Sequence, residues 1–347
     1  MLMNISDFDY NLPTHLIAQS PSKKRDDCRL MFLSKNSIEH KKFYNVLDIM
    51  KKGDVIVMNS TKVLHNKLVG KKETGSCAEI ILTKRLGEKR SFNDISDEKD
   101  SDLLWECHIK TKNPHIGTKI LFKEGQAIIT DQISVDRFII RLSDKKILKY
   151  GLLPNPPYIK HDLKDDEYQT VYARDGKRGS VAAPTAGLHF TKDLIKDIKN
   201  KGIKIVYINL HVGFGTFLPI MCDIDSHKTE QEFFEISANS AKIINERKGK
   251  LIVVGTTTLK ALESSSIDGK IIPARKYSDI FIYPGHRFSC DANLLITNFH
   301  LPKSSLILLT CAFGKTKRVM DAYKAAVEEN YRFYSLGDAM MIYRANI

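Results

Sequence analysis

The spacing of apolar and polar residues divides the chain into two kinds of region. From about residue 160 onward, apolar runs alternate with stretches of helical period, as in Ile203–Leu210, Leu251–Val254 and Lys317–Tyr331. Between residues 64 and 159, apolar and polar residues alternate in short runs that are separated by glycines and acidic turns. The first pattern predicts a layered α/β domain with a largely parallel sheet. The second pattern predicts a small β-barrel or sandwich.

We therefore predict a layered α/β main domain, residues 1–63 and 160–347, interrupted by an inserted small β-barrel domain, residues 64–159. In the main domain, the apolar run Ile280–Tyr283 is predicted as a strand. In the insertion, the polar and net acidic segment Gly87–Asp102 is predicted as a hairpin loop. The strands predicted for the barrel are Ala78–Leu82, Leu103–Ile109, Lys119–Lys123, Ala127–Thr130 and Arg137–Leu142.

One uncharged segment, Val181–Thr191, differs from an ordinary core strand, and we call it the signature segment. Pro184 and Gly187 break regular pairing, so the segment is predicted to be a strand that ends in a shaped turn. Its last residue is predicted to cap the helix that follows. A turn between a strand and a helix is a common ligand site in α/β proteins, and this turn offers the hydroxyl of Thr185 and the imidazole of His189.

Two more junctions between predicted elements carry polar groups. His211 follows the strand Ile203–Leu210 and precedes Gly213–Phe217, where two glycines allow the backbone to approach a ligand or simply form a turn. Gly255–Thr258 follows a buried strand and begins a helix. Hydroxyls and free N–H groups at a helix start suit an anionic group such as a carboxylate, although the threonines could equally serve as ordinary caps.

A short polar stretch places His227 near Glu230 and Glu232. A histidine with two carboxylates could form a metal site or an acid–base pair. The same residues could equally form a solvated turn before a helix, so the residues alone leave three interpretations open.

Composition limits the class of protein. A chain of 347 residues with 42% hydrophobic residues can bury a full core in one large or two moderate domains. The six cysteines are scattered without short metal-ligand spacings, which is typical of free thiols in a reducing cytoplasm. The N-terminus does not resemble a signal peptide, and the longest apolar run, Leu306–Phe313, is too short to span a bilayer. We therefore expect a cytoplasmic protein without a membrane partner.

The formal net charge of +13 suggests a polyanionic partner. Lysine greatly outnumbers arginine, and asparagine and isoleucine are frequent, which an AT-rich genome produces without selection for RNA binding. The charge alone therefore does not decide whether the protein binds nucleic acid.

The signature segment closely resembles a motif of the S-adenosylmethionine:tRNA ribosyltransferase-isomerases, a family of the queuosine pathway. Six further blocks resemble the family in the same order along the chain, and the resemblance is weakest between residues 64 and 150. These blocks are Tyr10–Gln19, Leu210–Pro219, Val254–Thr258, Ile282–Gly285, Thr297–Pro302 and Tyr331–Met340.

The resemblance implies a transferase that uses S-adenosylmethionine as a ribosyl donor, with no metal. The implied acceptor is 7-aminomethyl-7-deazaguanine at the wobble position of a tRNA with a GUN-type anticodon. The implied products are epoxyqueuosine-tRNA, adenine and methionine. The family is similarly built from an α/β domain and a smaller β-barrel. We expect no obligate protein partner, and a monomer, because no coiled coil or exposed apolar helix is evident.

The resemblance and the residue chemistry together suggest three groups of site residues. The predicted catalytic residues are His189, His211, Glu232 and Thr257. The predicted substrate-binding residues are Pro184, Thr185, Gly187, Gly213, Gly215, Thr216, Thr256, Asn298, Phe299, His300 and Asp338. The predicted tRNA-binding residues are Arg25, Arg29, Lys62, Lys67, Arg174, Lys177 and Arg178.

Several positions depart from the family pattern. Lys62, Lys67 and Lys260 stand where the family usually has arginine, which keeps the charge but removes the planar, bidentate hydrogen-bonding group. Phe214 replaces a small residue and Glu230 replaces a histidine, which puts a catalytic role for position 230 in doubt.

Two other functions are compatible with parts of the sequence. One is a metal-dependent hydrolase built on His211, His227, Glu230 and Glu232. The other is a non-catalytic RNA-binding protein, which only the net charge favours. Metal content would distinguish the hydrolase from the transferase. Turnover of S-adenosylmethionine would distinguish the transferase from the RNA-binding protein.

Overall fold

The predicted combination of a layered α/β fold and a small β-barrel is confirmed by the structure, a computed structural model that describes residues 3–86, 103–175, 178–213 and 219–345. A nine-stranded sheet forms the larger part and a closed six-stranded barrel the smaller. Within these residues, no helix combines the length and the apolar character needed to cross a membrane. The predicted loop Gly87–Asp102 lies outside the described residues.

Strands outnumber α-helices in the described part of the chain. In chain order, the strands are β1 (Arg29–Leu33), β2 (Ile38–Lys42), β3 (Val55–Asn59), β4 (Lys62–Val63), β5 (Lys67–Lys72), β6 (Cys77–Arg85), β7 (Leu104–Lys110), β8 (Lys119–Phe122), β9 (Gly125–Gln132), β10 (Arg137–Leu142), β11 (Arg178–Ser180), β12 (Lys204–Leu210), β13 (Glu232–Ile236), β14 (Leu251–Val254), β15 (Ser266–Ile267), β16 (Lys270–Ile271), β17 (Ala274–Ser278), β18 (Leu294–Asn298) and β19 (Ala339–Tyr343). The α-helices are α1 (Val46–Ile49), α2 (Asp165–Tyr168), α3 (Lys192–Asn200), α4 (Ala238–Asn245), α5 (Thr256–Ser264), α6 (Ser305–Gly314) and α7 (Thr316–Glu328).

The large sheet has the strand order β17-β13-β12-β3-β14-β18-β19-β1-β2. Its centre, β12-β3-β14-β18, is parallel, and β1 also pairs with β19 in parallel. The remaining four neighbouring pairs are antiparallel, so the prediction of a largely parallel sheet is wrong. Part of the reason is local, because the short connection between β1 and β2 permits only an antiparallel pair.

Helices cover both faces of the large sheet, as the alternation of strands and helices predicts. One core packs α4, α5, α6 and α7 against the sheet, and a second core packs α1 and α3 against the other face. Strands β3, β14 and β18 are buried along their whole length. Buried parallel strands read as continuous apolar runs, which is why these strands were visible in the sequence.

The barrel closes in the order β10-β7-β6-β5-β8-β9, and all its strand pairs are antiparallel. Its interior is filled by alternate residues of each strand, such as Ala78, Ile80 and Leu82 of β6. The strands run from Lys67 to Leu142, inside the predicted insertion. The domain boundaries at 63/64 and 159/160 stay predictions.

Two predicted strands differ from the structure. Ile280–Tyr283 is irregular and the strand lies earlier, at Ala274–Ser278, although Ile282 is buried in the core. The signature segment contains no strand, because pairing ends at Ser180 and residues 181–184 are irregular. In both places an apolar run signalled burial, and burial here does not require a partner strand.

The signature segment does end in the predicted helix cap. Thr191 Oγ1 accepts the backbone N–H of Leu194 at 3.1 Å and donates to Asp26 Oδ2 at 2.8 Å. Asp26 is only 3% exposed, so the same hydroxyl begins α3 and donates to one oxygen of a buried carboxylate.

We predict that Thr191→Ala lowers the free energy of unfolding by about 2 kcal/mol, because it removes both a helix cap and a donor to a buried acid. Urea denaturation measures this loss. Thr191→Ser keeps the hydroxyl and should stay within about 0.5 kcal/mol of the unaltered chain. Equal stability of the Ala and Ser variants would contradict the double role.

Candidate active site

The carboxyl ends of two neighbouring parallel strands border a cleft that is open to solvent. β14 and β18 pair in parallel, so Gly255, which follows β14, and Asn298, which ends β18, come together at one edge of the sheet. The signature segment contributes a wall of this cleft. Predicted site residues in the lining are Pro184, Thr185, Thr256, Thr257, Asn298, Phe299 and His300.

Some residues of the lining were not predicted. Thr297, Tyr334 and Ser335 fall within blocks that resemble the family, so a signal for them existed without a chemical reason to single them out. Tyr158 follows the barrel and reaches the cleft from outside every such block. Its ring lies 4.6 Å from that of Tyr334, a contact that sequence spacing does not reveal.

Gly255 shapes the start of α5 at the cleft. Its φ of +92° lies in the left-handed region, where a side chain would be strained. Its N–H donates to Ile296 O at 2.8 Å and ties the turn to β18. The first N–H groups of α5 have no intrahelical acceptor and carry the positive end of the helix dipole. With Thr256 and Thr257 at the cleft, this helix start suits a carboxylate or another anionic group.

The cleft combines apolar side chains with polar side chains that carry no charge. Within the described residues, the lining contains no Asp, Glu, Lys or Arg. His300 is buried, and burial lowers its pKa to about 3. Its Nε2 lies 2.8 Å from Thr297 Oγ1. At neutral pH the cleft therefore offers hydroxyls, an amide and a neutral imidazole.

His189 lies behind the cleft, and its side chain is buried. Its Nδ1 is 3.2 Å from Cys28 Sγ, and its Nε2 is 3.0 Å from Nδ2 of Asn298. Burial, and then the charges of Arg332 and Arg25, lower its pKa to about 3. The imidazole is therefore neutral at physiological pH and touches the lining of the cleft through Asn298. Its catalytic role stays a prediction.

A second group of polar residues lies at the ends of β12 and β13. Glu232 is 4% exposed, and its Oε2 lies 2.7 Å from Nζ of Lys260. Its Oε1 accepts the N–H of Gly213 at 3.1 Å. The lysine that replaces the family's arginine is thus paired with Glu232. We call Glu232, Lys260 and Gly213 the charged cluster.

The two histidines near the charged cluster have separate surroundings. His211 Nε2 lies 3.1 Å from Asn209 Nδ2, and its ring packs against Phe233. His227 packs edge-on against Phe281, and burial and then Lys260 lower its pKa. Over the described ranges, no three His, Cys, Asp or Glu side chains are grouped so that they could hold a metal ion. Among the described residues, these side chains therefore do not form the ligand set that a metal-dependent hydrolase would need.

Two predicted substrate-binding residues serve packing. The ring of Phe299 is fully buried among Tyr323, Tyr331 and Phe333, at centroid distances of 5.0 to 5.4 Å, so stacking on a base would require it to leave the core. A Cβ at Gly187 would collide with the hydroxyl of Tyr172. Glycine at this position therefore allows close packing behind the cleft.

Asp338, predicted to contact ribose or an ammonium group, lies outside the cleft. Its two oxygens accept the backbone N–H groups of Arg29 at 2.9 Å and Arg332 at 2.8 Å. The carboxylate therefore ties β1 to the segment before β19. Gly215 and Thr216 lie outside the described residues, and their predicted role stays untested.

Comparison with known proteins identifies the family. The model of a family described as "Queuosine biosynthesis protein" matches residues 5–342. The chain belongs to this family. The S-adenosylmethionine:tRNA ribosyltransferase-isomerase of Fusobacterium nucleatum is 44% identical, with 98% of this chain and 97% of that protein covered. The protein of the same name from Syntrophus aciditrophicus is 42% identical, with 98% and 100% covered.

A solved structure in the family has a similar fold. The crystal structure of S-adenosylmethionine tRNA ribosyltransferase from Thermotoga maritima is 30% identical to this chain and superposes with a TM-score of 0.53. The match covers 97% of this chain and 100% of that one. The resemblance of the signature segment and the six further blocks is thus confirmed as family membership.

The predicted tRNA-binding cations are engaged within the protein. Lys62 pairs with Asp175 at 2.7 Å and Lys67 with Asp162 at 2.9 Å. Arg174 stacks over the ring of Tyr207, 4.6 Å from its centroid.

The two N-terminal arginines of this set are also held. Arg25 donates to the carbonyls of Gln169 and Asp166, and Arg29 stacks over Tyr331 at 3.8 Å. Lys177 and the side chain of Arg178 lie outside the described part of the chain. The RNA-binding role of these seven residues stays a prediction.

Because His300 is buried in its neutral form, we predict that the free energy of unfolding falls in acid. Because the folded pKa of His300 is about 3 and its usual value is 6.5, the unfolded chain binds a proton more tightly. Stability from this group is complete above about pH 6.5 and is lost as the pH falls toward 3. At pH 5 the expected loss is about 2 kcal/mol for His300.

Urea unfolding at pH 7 and pH 5 measures this dependence. The variant His300→Gln lacks the titrating group. Between pH 7 and pH 5 its free energy of unfolding should therefore fall by about 2 kcal/mol less than that of the unaltered chain. His15→Gln, at an exposed histidine, is the matched control and should leave the loss unchanged. Equal pH dependence in all three proteins would show that His300 is not buried in its neutral form.

Proposed function

We propose that this chain transfers and isomerises the ribosyl moiety of S-adenosylmethionine onto 7-aminomethyl-7-deazaguanine at the wobble position of tRNA. The products are epoxyqueuosine-tRNA, adenine and methionine. Relatives that are 42–44% identical along nearly the whole chain carry the name of this activity. The acceptor base and the products rest on the resemblance of the motifs.

The observation that supports this proposal most is the convergence of separate family-like blocks on one cleft. The signature segment, the Gly255–Thr257 turn and the Thr297–Leu301 segment are far apart in sequence and line the same cavity. A cleft at the carboxyl ends of parallel strands is also where open α/β sheets bind ligands.

The cleft and the proposed substrate are chemically compatible. The sulfonium group of S-adenosylmethionine acidifies the C5′ hydrogens, so a positioned base can remove one as adenine leaves. The aminomethyl nitrogen then attacks the ribose, and methionine departs as the epoxide closes. The start of α5, with Thr256 and Thr257, is suited to the carboxylate of the methionyl group. The catalytic roles of His211, Glu232 and Thr257 remain part of the proposal, whereas His189, with both ring nitrogens hydrogen-bonded inside the protein, is better suited to positioning Asn298 than to direct catalysis.

The partner we propose is a tRNA with a GUN-type anticodon. An anticodon loop is single-stranded, so its wobble base can leave the stack and enter a cleft while cations hold phosphates. The described cysteines are all free thiols, and four of the six are buried. Free thiols are typical of the cytoplasm, where we place the reaction, and we propose a monomer as its active form.

The deciding experiment measures adenine release from S-adenosylmethionine with and without tRNA that carries 7-aminomethyl-7-deazaguanine. We expect release only with the modified tRNA, and epoxyqueuosine after digestion of the product. A folded protein that binds this tRNA and releases no adenine would instead be the non-catalytic RNA-binding protein. Release that is lost on chelation and regained with metal would favour the hydrolase.

A pair of isosteric variants tests the cleft in the same assay. Thr257→Val removes a hydroxyl from the lining and should lower kcat/KM about tenfold or more, the effect of one lost hydrogen bond to substrate. Thr258→Val is the matched control, because Thr258 is buried beside it in α5, outside the lining, and its Oγ1 has no hydrogen-bond partner among the described residues. Equal effects of the two changes would contradict the placement of substrate.

The RNA footprint has its own test. Replacing Arg174, Lys177 and Arg178 together with Ala should weaken tRNA binding and reduce the slope of log K against log salt concentration by about 2. Filter binding at several salt concentrations measures both. Replacing the exposed Lys315, Lys317 and Lys324 is the control of equal charge. If the two triple variants lose the same affinity, the 174–178 segment has no specific role.

A further inference from the structure

The amide of Asn298 is held in one orientation. Its Nδ2 lies 3.1 Å from Tyr334 O and 3.0 Å from Nε2 of His189. A backbone carbonyl can only accept a hydrogen bond, so the atom that faces Tyr334 O must be the nitrogen. Both N–H groups of the amide are then committed, one to the carbonyl and one to the imidazole.

This orientation fixes the tautomer of His189. Since Nδ2 of Asn298 is a donor, Nε2 of His189 must be an acceptor and the single ring proton must be on Nδ1. Nδ1 then donates to Cys28 Sγ, 3.2 Å away. Burial raises the pKa of the Cys28 thiol, which stays protonated at neutral pH. The three side chains form a neutral chain of hydrogen bonds from Cys28 through His189 to Asn298.

This series of hydrogen bonds leaves one side-chain atom of Asn298 without a partner among the described residues. Its Oδ1 is buried and, among the described residues, accepts no hydrogen bond. A buried carbonyl oxygen without a donor costs about 1–3 kcal/mol, so its presence at a ligand site calls for an explanation. Asn298 lines the cleft, where a bound substrate can supply the missing donor.

The character of the cleft indicates which donor fits. No charged side chain occurs in its described lining, and His300 is neutral. An ammonium group at Asn298 would meet no carboxylate side chain of the described lining, which is costly in a low dielectric environment. A neutral N–H donor carries no such penalty. In S-adenosylmethionine the methionyl amine is charged, and the neutral donors are the two ribose hydroxyls and the 6-amino group of adenine. The hydroxyls can both donate and accept and so can also pair with the threonine hydroxyls of the cleft, whereas the 6-amino group only donates and suits an oxygen that only accepts.

We propose that Asn298 Oδ1 accepts the 6-amino group of adenine and that Cys28 and His189 are positioning residues that keep this oxygen available. This inference rests on the proposed function. Without the Cys28 sulfur, the proton of His189 can move to Nε2. The amide of Asn298 then faces two conflicting partners, because Nε2–H needs an acceptor and Tyr334 O needs a donor, so its orientation is no longer uniquely set. Selection for adenine is thereby weakened without loss of any group that touches substrate.

The test compares S-adenosylmethionine with its 6-oxo analogue, in which inosine replaces adenosine, using base release and the modified tRNA. The unaltered enzyme should prefer the 6-amino substrate about 100-fold in kcat/KM, because the oxo group would face Oδ1. Cys28→Ala and the volume-conserving Cys28→Val should reduce this preference about tenfold, with KM for tRNA unchanged. For each variant, the preference is the ratio of kcat/KM for the 6-amino substrate to kcat/KM for the 6-oxo substrate. The two released bases differ in leaving ability, but this difference is the same for every variant and cancels when the ratios are compared.

Two control variants separate positioning from general damage. Cys28→Ser keeps an acceptor for Nδ1–H and should restore the preference to within about twofold of the unaltered enzyme. Cys311→Ala removes another buried thiol, in α6, and should leave the preference unchanged. If Cys28→Ala and Cys28→Val release base more slowly but keep the preference of the unaltered enzyme, the thiol is structural and the proposal is wrong.

A second measurement is independent of activity. The nitrogen-15 signals of the His189 ring, assigned by their loss in His189→Gln, report which nitrogen is protonated. We expect the Nδ1–H tautomer in the unaltered chain and in Cys28→Ser, and a shift toward Nε2–H in Cys28→Ala. An unchanged tautomer in Cys28→Ala overturns the proposal. If the protein releases no base and the tautomer still changes in Cys28→Ala, the proposed function is wrong, but the hydrogen bonds from Cys28 through His189 to Asn298 are supported.

Discussion

Parallel pairing of β12, β3, β14 and β18 brings polar groups from distant parts of the chain to one edge of the sheet. Strands that run in one direction end at one edge, so the residues that follow them gather there without a dedicated scaffold. Asn298, Gly255 and His211 are brought together in this way from positions up to 87 apart in sequence. The buried apolar strands behind them supply the energy that holds this edge in place.

The edge is divided into an uncharged cleft and a charged cluster, and one helix borders both. α5 presents Thr256 and Thr257 to the cleft, and one turn later Lys260 pairs with Glu232. Burying either charge alone would be costly, so the pair explains how both occur beside an apolar core. A lysine in place of an arginine offers one point contact, and a single oxygen of Glu232 accepts it while the other accepts Gly213 N–H.

Local chemistry made much of the fold predictable. The cap at Thr191, the continuous apolar run of β14 and the alternation in the barrel are each encoded by a few neighbouring residues. The wrong predictions share a physical cause, because an apolar run indicates only that a segment contacts the core and not which structure it adopts there. Ile280–Tyr283 packs against the core without pairing, with only Ile282 buried, and Phe299 is turned into an aromatic cluster rather than toward a ligand. The contact of Cys28 with His189 joins residues 161 apart and left no periodic signal.

The engaged cations of the proposed footprint are compatible with RNA binding. The carboxylates that pair with Lys62 and Lys67 are themselves about three-quarters exposed, at 75% and 74%. Exposed ion pairs contribute at most about 1 kcal/mol, so a phosphate can replace Asp175 beside the partly exposed Lys62 at little cost. Before RNA arrives, the same pairs hold each lysine in one place and reduce the entropy lost on binding. Because Lys67 is itself 9% exposed, its charge must always have a partner, and that partner can be Asp162 or a phosphate.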